Sequence, residues 1–468
     1  MAWILRARAP VAELTFGRRV RASDSGIFEG TWVGEPGDLG PLRSTTTFGS
    51  GVLVEGEALN IVPPGHMLEG VYVCQRAGDL IATNSLVGLL VAADLELSPQ
   101  IAYPPLFNEA VLGVMHTTMP TAMDPITANF HDNLRLDLDG RLTVVPKRRE
   151  AVFTTFADYR RRLADALASA MANAPSFEPV VTVSSGYDGA AVGVLAAALG
   201  CRKAVTISDG KRVPGSQSLG DSGADVGRLL GMDVSVHERL AYLRRDDLPE
   251  AEFLATGYTA EEVVMAGMEG QLGARMLVSA FFGDGMWWMN RPPRPTLWRS
   301  DQSGSSFGEQ RLRLGFIHVP LPCFGGEQSR VTQRISRSPE MRPWVLGRAY
   351  DKPIARRILE EAGVPRGTFG EIKRAVSATI HVDGPDALAP RTLASVEAFA
   401  AAEGGGVSFE RRSFPTWRRA VLKVSRKLGA ESMARRVERR KFALGVLEPS
   451  FGSLLLRWAV GVVRPRYE

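Results

Sequence analysis

Three stretches of the chain carry residue types that could hold or move phosphate. The first is Ser184-Ser185-Gly186-Tyr187-Asp188-Gly189, which follows the β-branched run Val180–Val183 and opens an alanine-rich segment. Small residues between a strand and a helix let backbone N–H groups face a ligand, and the helix N-terminus adds partial positive charge. The pattern therefore reads as an anion site. It lacks the G-x-x-x-x-G-K-[ST] spacing of a Walker loop. The second stretch is Gly283-Asp284-Gly285 in FFGDGMWWMN, at the end of a later strand-like run. The third is the basic segment DKPIARRILEEAGVPRGTFGEIKRA at 351–375, which puts Lys352, Arg356 and Arg357 on one predicted helix and Lys373 beyond it.

The elements that must position these residues alternate in type. Strand patterns fall at Val180–Val183, Lys203–Ser208, Val234–Val236 and Arg275–Phe282. Helical patterns run from about Gly189, over Gly223–Leu230 and over Glu261–Leu272. Such alternation predicts an α/β fold with a parallel doubly wound sheet and ligands at the carboxyl ends of its strands, where both glycine-containing turns fall. Just upstream, Phe156, Tyr159, Leu163, Leu167 and Met171 recur at helical spacing and predict an amphipathic helix whose stripe belongs to the core. Residues 1–145 read as mostly β, from the runs GIFEGTWVG, TTTFGSGVLVEG, GVYVCQRAGDLIATNS and GRLTVVP, with Ser85–Ala93 the best helix candidate. Pro146-Lys147-Arg148-Arg149 marks a boundary and Gly404-Gly405-Gly406 a second. The expected segments are a β-rich 1–145, an α/β 150–402 and a basic 407–468.

Composition narrows the classes. The apolar fraction of 45% and charged fraction of 23% are those of a soluble globular chain. Cys74, Cys201 and Cys323 are far apart with no C-x-x-C, which argues against a disulfide framework or cysteine zinc site and fits a reducing cytoplasm. Six histidines without H-E-x-x-H spacing speak against a histidine zinc centre, and His318, in an apolar run, reads as a core residue. The start of the chain lacks a signal-peptide core, and the longest apolar runs, Leu86–Ala93 and Leu454–Val463, are too short to span a bilayer. The net charge of +5 is unevenly placed: residues 411–468 hold fifteen Lys/Arg against four Glu, so the rest of the chain is net negative. In that basic stretch Trp417, Val421, Val424 and Leu428 line one predicted helical face. Such a helix could lie on an anionic membrane surface, grip an acidic partner, or pack its stripe on the body of the protein. No nucleic-acid-binding motif accompanies it.

SSGYDG resembles the S-G-G-x-D-S pyrophosphate loop of the asparagine synthetase-like ATP-pyrophosphatases, the adenine nucleotide alpha hydrolase-like superfamily. The resemblance covers about residues 150–380. It implies that Ser184, Ser185, Gly186 and Gly189 cradle the β,γ-phosphates of ATP and that Asp188 holds magnesium. Ser185 replaces a glycine of that pattern and Gly189 its closing serine. The family's second motif resembles S-G-E-G-A-D-E-L-F. Gly283, Asp284 and Gly285 match its G-E-G, whereas Trp287 and Trp288 stand at its aspartate and glutamate. An indole cannot ligate a hard cation, so the resemblance leaves Asp284 as the second metal ligand. The 351–375 segment looks like the family's closing segment and implies catalytic roles for Arg356 and Lys373, the latter stabilising charge as pyrophosphate leaves.

Residues 1–145 resemble the N-terminal nucleophile aminohydrolase-like domain of glutamine-dependent asparagine synthetases. Ala2 stands where the nucleophilic cysteine belongs, so ammonia release from glutamine is not expected. β-Lactam synthetases share that lack. The stretch GSSFGEQRLRLGFIHVPLPCFG and the run ISRSPEMRPW resemble an insert of relatives with surface-polysaccharide functions. The implied function is an ATP-dependent, AMP-forming amide ligase acting on a small-molecule or saccharide-linked carboxylate, in surface polysaccharide or secondary metabolite biosynthesis. The alternative is a catalytically decayed nucleotide-binding or assembly module of the same fold. Sulfur transfer by another pyrophosphate-loop enzyme is disfavoured, because it generally needs reactive cysteines.

Overall fold

A computed structural model describes residues 1–8, 11–76, 78–210, 222–291, 297–299, 301–370, 376–378, 380, 384–404 and 451–468. It is mixed α/β, with antiparallel sheets in the N-terminal part and a parallel sheet later. The N-terminal part holds two six-stranded antiparallel sheets. Every strand expected from the sequence is present there, including Gly26–Trp32, Thr47–Glu55, Val71–Arg76 and Leu142–Val145. Trp3–Arg8, Val11–Phe16, Ala58–Val62 and the helix Pro104–Val111 are additions to that reading. Alternate residues of both sheets, among them Trp3, Leu5, Ile27, Val52, Val73 and Leu134, form one apolar cluster, as period-two side chains on facing sheets require. The helix Leu86–Ala92 begins where expected because the Ser85 hydroxyl caps it, accepting from Gly88 N at 2.8 Å.

The amphipathic helix Phe156–Asn173 starts on Thr155, whose hydroxyl accepts from Asp158 N at 3.1 Å. Its buried stripe of Tyr159, Leu163, Leu167 and Ala170 joins the core of the second half. Its C-terminal turn is tied to the N-terminal sheet by Thr31 Oγ1 donating to Ala170 O and by Asn173 Nδ2 donating to Trp32 O.

The parallel sheet has five strands: Glu178–Thr182, Lys203–Ile207, Asp233–His237, Arg275–Ser279 and Ile317–Pro320. Taken in chain order their spatial order is third, second, first, fourth, fifth. The first strand is central, with Val180 beside Lys203 on one side and Leu277 on the other. Growth of the sheet therefore reverses between the first and fourth strands, and such a reversal opens a crevice at the carboxyl ends. The helix Tyr187–Ala198 follows the first strand and packs on the helix Pro353–Glu361.

Two expectations change. Glu261–Leu272 is not one helix: a 3₁₀ turn over Val263–Met268 leads into a short helix Glu269–Leu272. Paired β-branched residues and two glycines disfavour a continuous helix, and the Glu262 carboxylate is spent on Gly304 N and Ser306 N. The far end of the basic 407–468 segment, set apart in the sequence, belongs to the core. Phe451–Val463 is a helix that buries Leu455, Leu456, Trp458, Ala459 and Val463 in the largest core cluster. The striped stretch around Trp417 and Lys423 lies outside the described residues.

The two halves share that core, since the same cluster unites Tyr72, Leu90 and Phe107 with Val180, Phe253 and Leu277. A buried ion triad also crosses between them: Arg311 meets Glu29 at 2.6 Å and Glu69 at 2.8 Å. Among the described residues, no helix is long and apolar enough to cross a membrane.

Candidate functional site

The crevice at the reversal point is a cavity of about 430 Å³, within the range of small-molecule sites. One end is built by Ser184, Asp188 and Gly189 after the first strand and by Ala280–Asp284 after the fourth. Val205, Ile207, Val264, Met265 and Met268 supply apolar walls. Glu261, Glu262, Arg299, Asp301 and Ser303 border another side.

The loop Ser184–Gly186 turns the chain tightly into its helix. Gly186 N donates to Ser184 Oγ at 3.2 Å, and Gly370 N donates to Ser185 O, which ties the later basic segment to the turn. The serine at 184 sits in crowded surroundings: a Cβ on Gly189 would lie 2.6 Å from its Oγ. The absence of a side chain at 189 is thus a packing requirement of the turn.

The second turn approaches the first closely. A Cβ on Gly283 would lie 2.5 Å from Asp188 Cγ, so the glycine is what admits the Asp188 carboxylate. Phe282, just before it, has φ of 73°, a left-handed conformation that costs a residue with a bulky side chain roughly 1–3 kcal/mol. That strain turns the chain out of the fourth strand and into the short helix Gly283–Trp287.

Asp188 and Asp284 converge on one atom, the Lys352 ammonium, which donates to Asp188 Oδ2 and Asp284 Oδ1. The lysine side chain is fully buried, and the ammonium stands 5.0 Å from the centre of the Tyr350 ring. Its backbone is fixed on both sides. The buried Asp351 accepts from Leu346 N and Gly347 N through its side chain and from Met289 N through its carbonyl, while Pro353 opens the next helix.

Arg356, one turn on, is also fully buried, but it faces the Tyr187 hydroxyl and lies between the rings of Tyr187 and Phe369, at 5.2 and 5.9 Å. It braces the first residue of the loop helix from behind and is not among the cavity-lining residues. Ser185, Gly186 and Gly285 are likewise absent from that lining, whereas Ser184, Asp188, Gly189, Gly283 and Asp284 belong to it. Lys373 lies outside the described residues. Val376 and Ser377, shortly after it in the chain, line the cavity.

Two carboxylates meeting at one point resemble the donor set magnesium takes, but a fixed ammonium already holds that point. The Trp287 ring is buried, with Nε1 donating to the Tyr159 hydroxyl at 3.0 Å, and Thr332 Oγ1 donates to Met286 O. Trp288 is half-buried, edge-on to Tyr350 at 5.4 Å. Met286 and Trp287 are therefore packing residues.

Glu262, on the cavity wall, is pushed up to about 8 by burial and by the neighbouring Glu261, against the pull of its two backbone N–H bonds. His318 is a core histidine, as expected: its Nε2 is 2.7 Å from Ser279 Oγ, Phe307 packs on it, and burial lowers it to about 3. The three cysteines are free and buried. Burial raises the Cys201 thiol and pushes Cys323 up to about 12, which suits inert thiols.

Sequence reasoning picked out both turns but not Lys352 as their meeting point. Its signal was its place in the basic 351–375 segment, directly before the helix-starting Pro353. Glu261, Glu262 and Asp301 carried no motif and became visible only as walls of the cavity. No protein-family model matches the chain, and a search of curated proteins finds no match.

Proposed function

We propose that this cavity binds ATP, with its phosphate chain over the Ser184–Gly189 turn and its base against Val205, Ile207 and Met265, in an asparagine synthetase-like, AMP-forming amide ligase. The supporting observation is that three stretches distant in sequence, around Ser184–Gly189, Gly283–Asp284 and Lys352, meet at the end of one parallel sheet. In this reading a substrate carboxylate oxygen attacks the α-phosphorus and pyrophosphate leaves. A nitrogen nucleophile then attacks the acyl carbon and AMP leaves. The protein's share is positioning and charge: backbone N–H groups at the start of Tyr187–Ala198 hold the departing pyrophosphate, and Arg356 keeps that helix start in place. The carboxylate is a small molecule or saccharide-linked group, which rests on the resemblance alone.

A second reading is a nucleotide-binding module without turnover. The buried Trp287, packed where the resembling motif has a metal ligand, favours it.

Isothermal titration with ATP, followed by pyrophosphate–ATP exchange with a panel of carboxylates, separates the two. Binding with exchange that disappears in Asp188→Ala supports the ligase, and binding without exchange supports the module. A protein that takes up neither ATP nor pyrophosphate refutes both.

A further inference from the structure

The resemblance leads to magnesium between Asp188 and Asp284, whereas both carboxylates are bonded to Lys352. We propose that Lys352 is the resident cation of this site, so that the cavity takes its polyphosphate ligand without a divalent metal bridging the two aspartates. This deepens the ATP-binding reading and rests on it for the identity of the ligand, but not for the behaviour of the carboxylates.

Three observations carry the inference. First, one ammonium bonds an oxygen of each acid, so the charge a dication would neutralise is already partly met. Second, Lys352 is not a surface side chain that could swing aside. It has no exposed surface, its backbone is held through Asp351 and Pro353, and Tyr350 flanks the ammonium. Third, the carboxylates are partly exposed, at 19% and 17%, and line the cavity while the lysine lies behind them. A magnesium ion bound on the cavity side would stand about 2.0–2.1 Å from those carboxylates. The fixed ammonium would share them across a hydrogen bond, and repulsion at that range is poorly screened away from bulk water.

Two other described charges stand close to this point, and both have partners of their own. Asp351 is committed to backbone N–H groups, and Arg356 is turned onto Tyr187.

The test uses the intact protein and two probes. Manganese alone is titrated and followed by electron paramagnetic resonance. ATP and pyrophosphate are titrated separately, in EDTA and in excess magnesium. Wild-type protein should show no stoichiometric manganese site, and its ligand affinity in EDTA should lie within about threefold of that in magnesium. In Lys352→Met the freed carboxylate pair should acquire a manganese site, and manganese should raise its melting temperature while leaving that of wild type unchanged. Stoichiometric manganese binding by wild type that is lost in Asp188→Asn overturns the inference, as does a tenfold or greater loss of ATP affinity in EDTA. If Lys352→Met does not fold, the wild-type measurements still decide. If neither ATP nor pyrophosphate binds under any condition, the ATP reading fails and the manganese titration alone judges Lys352.

Discussion

The contact between the two turns gives a sharp prediction at Gly283. Substituting alanine places a methyl group 2.5 Å from Asp188 Cγ, and 2.8 Å from its Cβ and Oδ2, whereas ordinary contact begins at 3.4 Å. Asp188 must therefore retreat by nearly an ångström. It sits in the first turn of a buried helix, so its carboxylate must rotate away from Lys352 while its Cβ can move only with the helix backbone. Overpacking of this kind costs about 1–3 kcal/mol. Weakening one hydrogen bond between charged groups costs about 1.5–3 kcal/mol more if it is lost outright. Gly283→Ala should thus lose about 2–4 kcal/mol in urea-induced unfolding, with an unchanged m-value. ATP affinity should fall at least tenfold, the equivalent of about 1.4 kcal/mol. Gly270→Ala is the control: it is exposed, on a short helix, with nothing within 4 Å of the new methyl, and should be neutral or gain up to about 1 kcal/mol. If Gly283→Ala has wild-type stability and wild-type ATP affinity, the two turns do not meet at Asp188.

Other consequences follow from the buried groups. Because Glu262 is raised to about 8, the folded state holds a proton there that the unfolded chain releases near 4.5. Stability should therefore fall as pH rises from about 4.5 to 8, and Glu262→Gln should flatten that slope in pH-dependent denaturation. His318, lowered to about 3, works in the opposite sense: the unfolded chain takes up a proton near 6.5 that the folded state refuses. Acidification from about 6.5 to 3 should destabilise wild type more than His318→Gln. Trp458 is buried with Nε1 donating to Ser395 Oγ, and Trp458→Ala should cost about 3–5 kcal/mol in chemical denaturation, whereas a detached tail would show no effect. Cys74, Cys201 and Cys323 should react with an aromatic disulfide reagent only at the rate of unfolding, and rapid labelling of any one in native protein would contradict their burial.

The local elements were legible before any tertiary contact was known. Strands and helices around the loop were legible because periodicity and small-residue turns are short-range properties. The helix Phe156–Asn173 and the strands from Glu178 to Ser279 fall within a few residues of where pattern alone puts them. Glu261–Leu272 escaped that logic, because Glu262 reaches 42 and 44 residues along the chain to accept from Gly304 N and Ser306 N, and no local pattern records such a bond. The fate of Phe451–Val463 was equally hidden. Basic residues upstream coloured the whole segment as tail, while the partner faces that bury Leu455 and Trp458 lie on Glu250–Leu254 and Pro390–Ala402. The candidate site divides the same way. Asp188 and Asp284 announced themselves through their turns, but which cation stands between them depends on how the helix Pro353–Glu361 docks on Tyr187–Ala198. Charge type is written in the sequence. The distance between charges is not, and it is distance that makes Lys352 the group both aspartates share.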